Sequence, residues 1–376
     1  MMKINTVKPV HPKLKDIENE FRHCLKTGLV TNNSKFVRLF EEKLHNFFNS
    51  RLKPILLCNG EMALFSLIQA WKYNLGYEIS DSFRVIVPSF TFPGTVNAIV
   101  QNNLEPVFCD VDDTMTIDVS KLNEEKLPEN TKMIISVGAY GNLPDVRELI
   151  EFAIKNSLVL LMDNAPAFGA TCENKYANNY GVDEIFSLHA TKILSSMEGG
   201  VVITNNETIH EYIINFRDFG QIDKEKGDVV MPGLNAKMQE VSALVGLANL
   251  SKFDSIFQSR KNVVKKYISV FIEPINKGLF NVMRVKDIIV CNYWYFPIVL
   301  KEDASNFYNY MKSNEIMVRR YYTATHSLTF YRNKFIEFNL DHTIYIKNKV
   351  VCLPLYSYMD EKEINYITKT VMKHFN

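Results

Sequence analysis

Paired cysteines, an excess of charge and a long apolar run are all missing from this chain, and each absence excludes a class of protein. The six cysteines among 376 residues (Cys24, Cys58, Cys109, Cys172, Cys291 and Cys352) lie far apart, with no CxxC pair and no zinc-type spacing. They read as reduced, mostly buried thiols of a cytoplasmic protein, not as a disulfide framework or a metal site. Lys and Arg number 43 against 42 Asp and Glu, a formal net charge of +1. That balance argues against a non-specific nucleic-acid binder or a polybasic membrane patch. No apolar run is long enough to span a bilayer, and the opening MMKINTVKPVHPKLKD has no apolar signal-peptide core. Repeats, low-complexity tracts and evident linkers are absent too. A soluble, intracellular protein is the expectation.

What is present is the patterning of an ordinary globular protein. Hydrophobic residues make up 47% and charged residues 23%, so the chain can bury a sizeable core or two. Short runs rich in branched residues read as strands: PILLC (54–58), RVIVP (84–88), EPVFCDV (105–111), KMIISV (132–137), LVLLMD (158–163), EIFSL (184–188) and GVVIT (200–204). Helical spacing lies between them at 61–74, 94–103 and 143–156, the last with Pro144 expected in its first turn. Strands that alternate with helices and are apolar throughout predict a parallel sheet covered on both faces. Helical stretches follow near 206–219 and 236–270. A mixed α/β tail from about 275 then predicts a smaller second domain, with a strand in 293–300 and a helix in 360–375.

In such sheets ligands sit beyond the carboxyl ends of the strands. The residues there are Asn59-Gly60-Glu61, then SFTFPGT, GAYGN, Asp163-Asn164-Ala165, and His189-Ala190-Thr191-Lys192. Each has a plain alternative. Asn59-Gly60 is a common turn, although the helix it opens has free N–H groups that suit a phosphate. Phe90 and Phe92 could be core, or could lie against a flat heterocycle. Asp163 closes an apolar run, so a buried carboxylate there needs a cationic partner. His189 could be a satisfied core histidine, and Lys192 an exposed lysine at the end of a strand. One ligand would use all of them together. Pyridoxal phosphate needs an amine to link its aldehyde, an acid beside its ring nitrogen, an aromatic cover and a phosphate cradle.

On these residues the sequence resembles the DegT/StrS-type sugar aminotransferases, of the fold-type I pyridoxal-phosphate enzymes. The resemblance runs through residues 28–48, 87–112, 140–153, DNAPAFGA (163–170), FSLHATKILSSMEGGVVITN (186–205), GLNAKMQEVSALVGLANL (233–250) and LPLYSYM (353–359). It implies an α/β fold with a large, mostly parallel sheet domain over 1–250 and a small C-terminal α/β domain over 251–376. The first ~30 residues would pack on the small domain. Lys192 would carry the cofactor, Asp163 would pair with its ring nitrogen, and Phe92 would cover the ring. Ser187 and the Gly60-Glu61 turn would hold the phosphate, and Asn235 would reach it from the second subunit of a homodimer. For substrate contacts, His189 and the patch Arg319, Arg320, Tyr321, Tyr322 and His326 are the candidates.

Three departures stand out. Glu61 replaces the family's usual threonine, and a carboxylate facing a phosphate is unfavourable, so it is expected to turn away. Pro166 stands where His or Gln is usual, and Gly138 where many members place a histidine. Lys192, in place of the histidine of the family's dehydratase branch, favours transamination. The resemblance implies transfer of an amino group from L-glutamate to a nucleotide-linked keto-deoxysugar for surface polysaccharide. A small keto-phosphate such as dihydroxyacetone phosphate is the alternative acceptor. A cofactor-binding homologue without activity is the alternative of another class.

Overall fold

In the computed structural model, which describes residues 3–223 and 227–375, eight strands join in one sheet. Across it the order is Ile55–Leu57, Gly200–Ile203, Asp183–Ser187, Val159–Asp163, Thr131–Val137, Arg84–Pro88, Glu105–Cys109 and Ile336–Glu337. Gly200–Ile203 alone runs against the direction of the other seven. The expected strands are all present.

The side-chain alternation of a strand, with both faces covered, explains why these strands are apolar on both sides through most of their length. Val85 and Val87 pack under one set of helices, with Leu64 and Leu67 of Gly60–Asn74 and Val96 of Pro93–Gln101. Ile86, between them, packs on the opposite face with Val146, Leu149 and Phe152 of Val146–Lys155. Each such side chain, fully buried, contributes about 1.5–3 kcal/mol. A Leu67→Ala change would cost about 2–5 kcal/mol by leaving a cavity. Toward the Ile55–Leu57 edge, Leu56, Phe186 and Val201 are covered by Phe40 and Leu44 of Lys35–Phe48 and by Leu244 of Glu240–Leu250.

A second, antiparallel sheet holds Phe280–Val282, Phe296–Leu300 and Val350–Leu353. Helices Phe253–Asn276, Ser305–Ser313 and Glu361–Phe375 close its core. The N-terminal segment ties onto this part of the molecule, with the Ile4 N–H donating to the Glu315 carbonyl at 2.9 Å. The C-terminal chain also returns to the large sheet, pairing Ile336 with Val107.

Three local details differ from expectation. The helix expected at 143–156 begins at Val146, because Asp145 caps it by accepting from the Arg147 and Glu148 N–H groups; Pro144 lies outside it. The stretch 236–270 is two helices, with a turn at Ser251-Lys252 that sends Phe253 in among Phe47 and Phe168, its ring 5.4 and 5.1 Å from theirs. Lys192 does not end a strand. The strand stops at Ser187 and the lysine sits in the following turn, its N–H donating to the His189 carbonyl at 2.9 Å.

Candidate active site

Because seven of the eight strands share a direction, the turns that follow them meet at one edge of the sheet. A cavity of about 470 Å³ opens there, lined by Asn59 to Glu61, Thr91, Phe92, Asp163, Pro166, Ser187, His189 and Lys192, and from the C-terminal half by Trp294, Arg319, Tyr321 and Tyr322.

Asp163 forms its floor. It is 5% exposed, and its carboxylate is held by two donors: the Thr95 hydroxyl to Oδ2 at 2.7 Å and the Ala165 N–H to Oδ1 at 3.1 Å. Burial raises its pKa above the usual carboxylate value; the Thr95 and Ala165 bonds and the charge of Lys192 work against that shift. Thr95 sits in the first turn of Pro93–Gln101, which places its hydroxyl directly over the strand end.

Lys192 lies across the cavity with its Nζ 3.7 Å from the centroid of the Trp294 ring. The Trp294 indole N–H is anchored on the Thr191 carbonyl at 2.8 Å, which fixes the ring as a wall beside the amine. Desolvation lowers the Lys192 pKa to about 8, opposed by the attraction of Asp163. Near neutral pH the amine therefore has a substantial unprotonated fraction, which an ordinary lysine lacks.

The helix Gly60–Asn74 opens onto the same space. Its first intrahelical bond runs from the Ala63 N–H to the Asn59 carbonyl at 3.1 Å, and Asn59 Oδ1 accepts from the Met62 N–H at 2.8 Å. The N–H groups of Gly60 and Glu61 precede that ladder and are left for a ligand. A Cβ on Gly60 would lie 2.7 Å from the Ser187 Cβ, so glycine is required for the helix end to close on the serine.

At the rim, the Phe92 and Tyr321 rings are parallel within 6°, with centroids 6.4 Å apart. Arg319 donates to the Tyr321 hydroxyl at 3.2 Å. His189 Nδ1 accepts from the Thr191 N–H at 3.2 Å, so its Nε2, 3.5 Å from Glu198 Oε1, carries the proton of the neutral ring.

Of the residues singled out from sequence, Gly60, Glu61, Phe92, Asp163, Ser187, His189, Lys192, Arg319 and Tyr321 are brought together here. Arg320 points elsewhere, donating to Ser305 Oγ and the Asn348 carbonyl at 3.1 Å each. His326 is buried below, with Nδ1 2.6 Å from Ser89 Oγ. Asn235 is exposed, outside the cavity lining, in a bridge with Asp218. Around that bridge lie exposed apolar side chains: Phe219, Ile222, Val230 and Leu234. Thr95, Trp294 and Glu198 were missed. Thr95 is three residues beyond Phe92 and could have been found as a first-turn hydroxyl. Trp294 had no local signal.

The departures also have places. Gly138 leaves no room for a side chain, since a Cβ there would lie 2.7 Å from both Ala167 Cβ and Asn164 Oδ1. The Pro166 ring lines the cavity while its carbonyl accepts from Asn292 Nδ2 at 2.9 Å. Glu61 lines the cavity at its rim, with an exposed side chain whose carboxyl carbon lies 3.7 Å from the position of a Cβ on Gly94.

The donor set fits pyridoxal phosphate: an amine of lowered pKa, a buried carboxylate facing it, the exposed ring of Phe92, and a helix end whose glycine cradle any Cβ would fill. Comparison with known proteins points the same way. The chain is 30% identical over 351 residues to the dTDP-4-amino-4,6-dideoxy-D-glucose transaminase of Shigella dysenteriae, covering 91% of this chain and 90% of that protein. It is 27% identical over 375 residues to the GDP-perosamine synthase of Escherichia coli O157:H7, covering 98% of each. Its fold matches that of PseC from Helicobacter pylori, an aminotransferase involved in pseudoaminic acid biosynthesis, with a TM-score of 0.88 at 23% identity over 100% of this chain and 99% of that one. Residues 13–372 match the DegT/DnrJ/EryC1/StrS aminotransferase family; the chain belongs to that family and is a pyridoxal-phosphate-dependent transaminase.

Proposed function

We propose that this protein is a cytoplasmic homodimeric transaminase that moves an amino group from L-glutamate to the ketone of a nucleotide-linked deoxysugar, in the supply of aminosugars for surface polysaccharide. The observation that carries the catalytic part is the placement of the Lys192 amine and the Asp163 carboxylate in one cavity beside an open helix end. The substrate class rests on the relatives' own substrates, named above.

Lys192 takes two roles. Its unprotonated amine would hold the cofactor, and the same amine, when free, would take and return a proton at the substrate carbon. A pKa of about 8 suits both the giving and the taking of that proton near neutral pH. Bound there, the cofactor supplies an electron sink for the carbon that loses its proton. Asp163, whose carboxylate accepts from the Thr95 hydroxyl and the Ala165 N–H, would pair with the ring nitrogen. The Gly60 and Glu61 N–H groups and Ser187 Oγ bind the phosphate, and Phe92 covers the ring. Trp294 excludes water from the amine. Arg319, whose guanidinium makes no ion pair among the described residues, binds an anionic group of the donor or of the sugar nucleotide at the mouth, with Tyr321 and His189 beside it.

The test is spectral. Purified protein with pyridoxal phosphate should show the visible band of the lysine-linked cofactor, and Lys192→Ala should lack it. L-Glutamate should bleach the band, and a nucleotide 4-keto or 3-keto deoxysugar should restore it. Recovery with dihydroxyacetone phosphate alone would sink the sugar-nucleotide substrate. A band that no amino donor bleaches would sink the transaminase.

A further inference from the structure

Of the three acidic side chains that line the cavity, one has no partner for its carboxylate among the described residues. Asp163 faces Lys192, Glu198 lies against His189, and Arg319 bonds the Tyr321 hydroxyl. Glu61 makes no ion pair among the described residues. Its side chain, exposed at the rim, reaches toward the next helix, with its carboxyl carbon 3.7 Å from the position of a Cβ on Gly94. It therefore sits on the same turn as the two free N–H groups of Gly60 and Glu61, and shares the space they open into.

Those two features pull in opposite directions on an anion. The helix end attracts a phosphate, while a carboxylate one residue along repels it. Without cofactor, Glu61 is favourable, because an acidic side chain in the first turn complements the helix dipole. With a phosphate dianion in place, the same charge is unfavourable. Both contributions shift the balance toward the empty site.

On the pyridoxal-phosphate reading above, we propose that Glu61 opposes the cofactor's phosphate, so that this chain holds its cofactor loosely and exchanges it with the free pool. The cofactor's grip is set by Lys192, Asp163 and the helix end, and Glu61 subtracts from it. Neutralising residue 61 tightens binding, and the gain depends on the phosphate.

A comparison of two aldehydes tests this. Dissociation constants are measured by absorbance and fluorescence for pyridoxal phosphate and for pyridoxal, which lacks the phosphate, with wild-type protein, Glu61→Gln and Glu61→Thr. Both variants should bind pyridoxal phosphate about five- to tenfold more tightly, the size expected of like charges at a partly solvated rim. Pyridoxal affinity should stay within about twofold of wild type. An equal gain with both aldehydes, no gain, or weaker binding of pyridoxal phosphate would overturn the proposal. If neither aldehyde gives a band that depends on Lys192, the cofactor reading falls first and takes this one with it.

Discussion

The Nζ of Lys192 lies 3.7 Å from the centroid of the Trp294 ring, although 102 residues separate them in the chain. The contact acts on the amine in two ways. The ring's negative face attracts an ammonium, which would raise its pKa. Its bulk also keeps water away, which lowers it. Desolvation is the larger effect and brings the amine down to about 8 from an ordinary 10.5, with the charge of Asp163 opposing it. The neutral amine is the form that attacks an aldehyde, so capture of pyridoxal by the apoprotein should speed up with pH through a midpoint near 8. Trp294→Ala, which admits water, should move that midpoint up toward 10.5, and Trp294→Phe should move it less. Stopped-flow absorbance across pH reads both; a wild-type midpoint near 10 would refute the placement of Lys192 in dry surroundings.

Thr95 is the one side chain that donates to the buried Asp163 carboxylate among the described residues. Thr95→Val keeps the shape and removes the donor. A lost charge-assisted bond of this kind is worth about 1.5–3 kcal/mol. The carboxylate's pKa should rise and the acid limb of the kcat/KM profile should shift to higher pH. At neutral pH the loss should be about tenfold or more. A profile that falls uniformly without moving would mean that Thr95 supports only the fold.

Much of this was readable in advance, for physical reasons. Strands buried on both faces leave unbroken apolar runs such as RVIVP and LVLLMD, and the turns after them are bounded by Asn-Gly, Asp-Asn and Gly-Gly steps. Local pattern and the strand-end rule together locate Asp163, Ser187 and Lys192 at one edge. Trp294 was not legible, because a contact between distant segments has no local period. Arg319 and Arg320 were not separable either. Neighbours on extended backbone point to opposite sides, and nothing in RRYY says which side faces the cavity.

The two arginines give the next expectation. Arg319 lines the cavity, while Arg320 is spent on Ser305, the Asn348 carbonyl and Asp303. Arg319→Ala should raise KM for the donor or the sugar nucleotide about tenfold or more, the usual scale for losing a guanidinium–anion contact. Arg320→Ala should leave both KM values near wild type. Steady-state kinetics with each substrate varied identifies which one Arg319 holds. Equal effects of the two substitutions would remove Arg319 from the binding role.

Gly60 is constrained by packing, not by its dihedral angles. A methyl group there would lie 2.7 Å from the Ser187 Cβ and 3.1 Å from its Oγ. Either the helix end or the Asp183–Ser187 strand end must give way. Gly60→Ala should cost about 1–3 kcal/mol of stability and should weaken pyridoxal phosphate binding by at least tenfold, since the same shift spoils the donor pair. Thermal unfolding and cofactor titration measure the two effects separately. A stable variant with unchanged affinity would show that the phosphate is held elsewhere.

Asn235 offers the sharpest test of a shared site. It is exposed, outside the cavity, and flanked by exposed Leu234 and Phe219. If it completes the phosphate site of a second subunit, Asn235→Ala and Lys192→Ala proteins should each be nearly inactive as pure dimers. In a mixed dimer one site then has an intact lysine and receives its asparagine from the other subunit, and the second site lacks both. Unfolding and refolding an equimolar mixture makes half of the dimers mixed, so about a quarter of wild-type activity should return. Recovery of that size requires two chains at each site. If nothing returns while size-exclusion chromatography shows mixed dimers forming, Asn235 acts within its own chain or not at all.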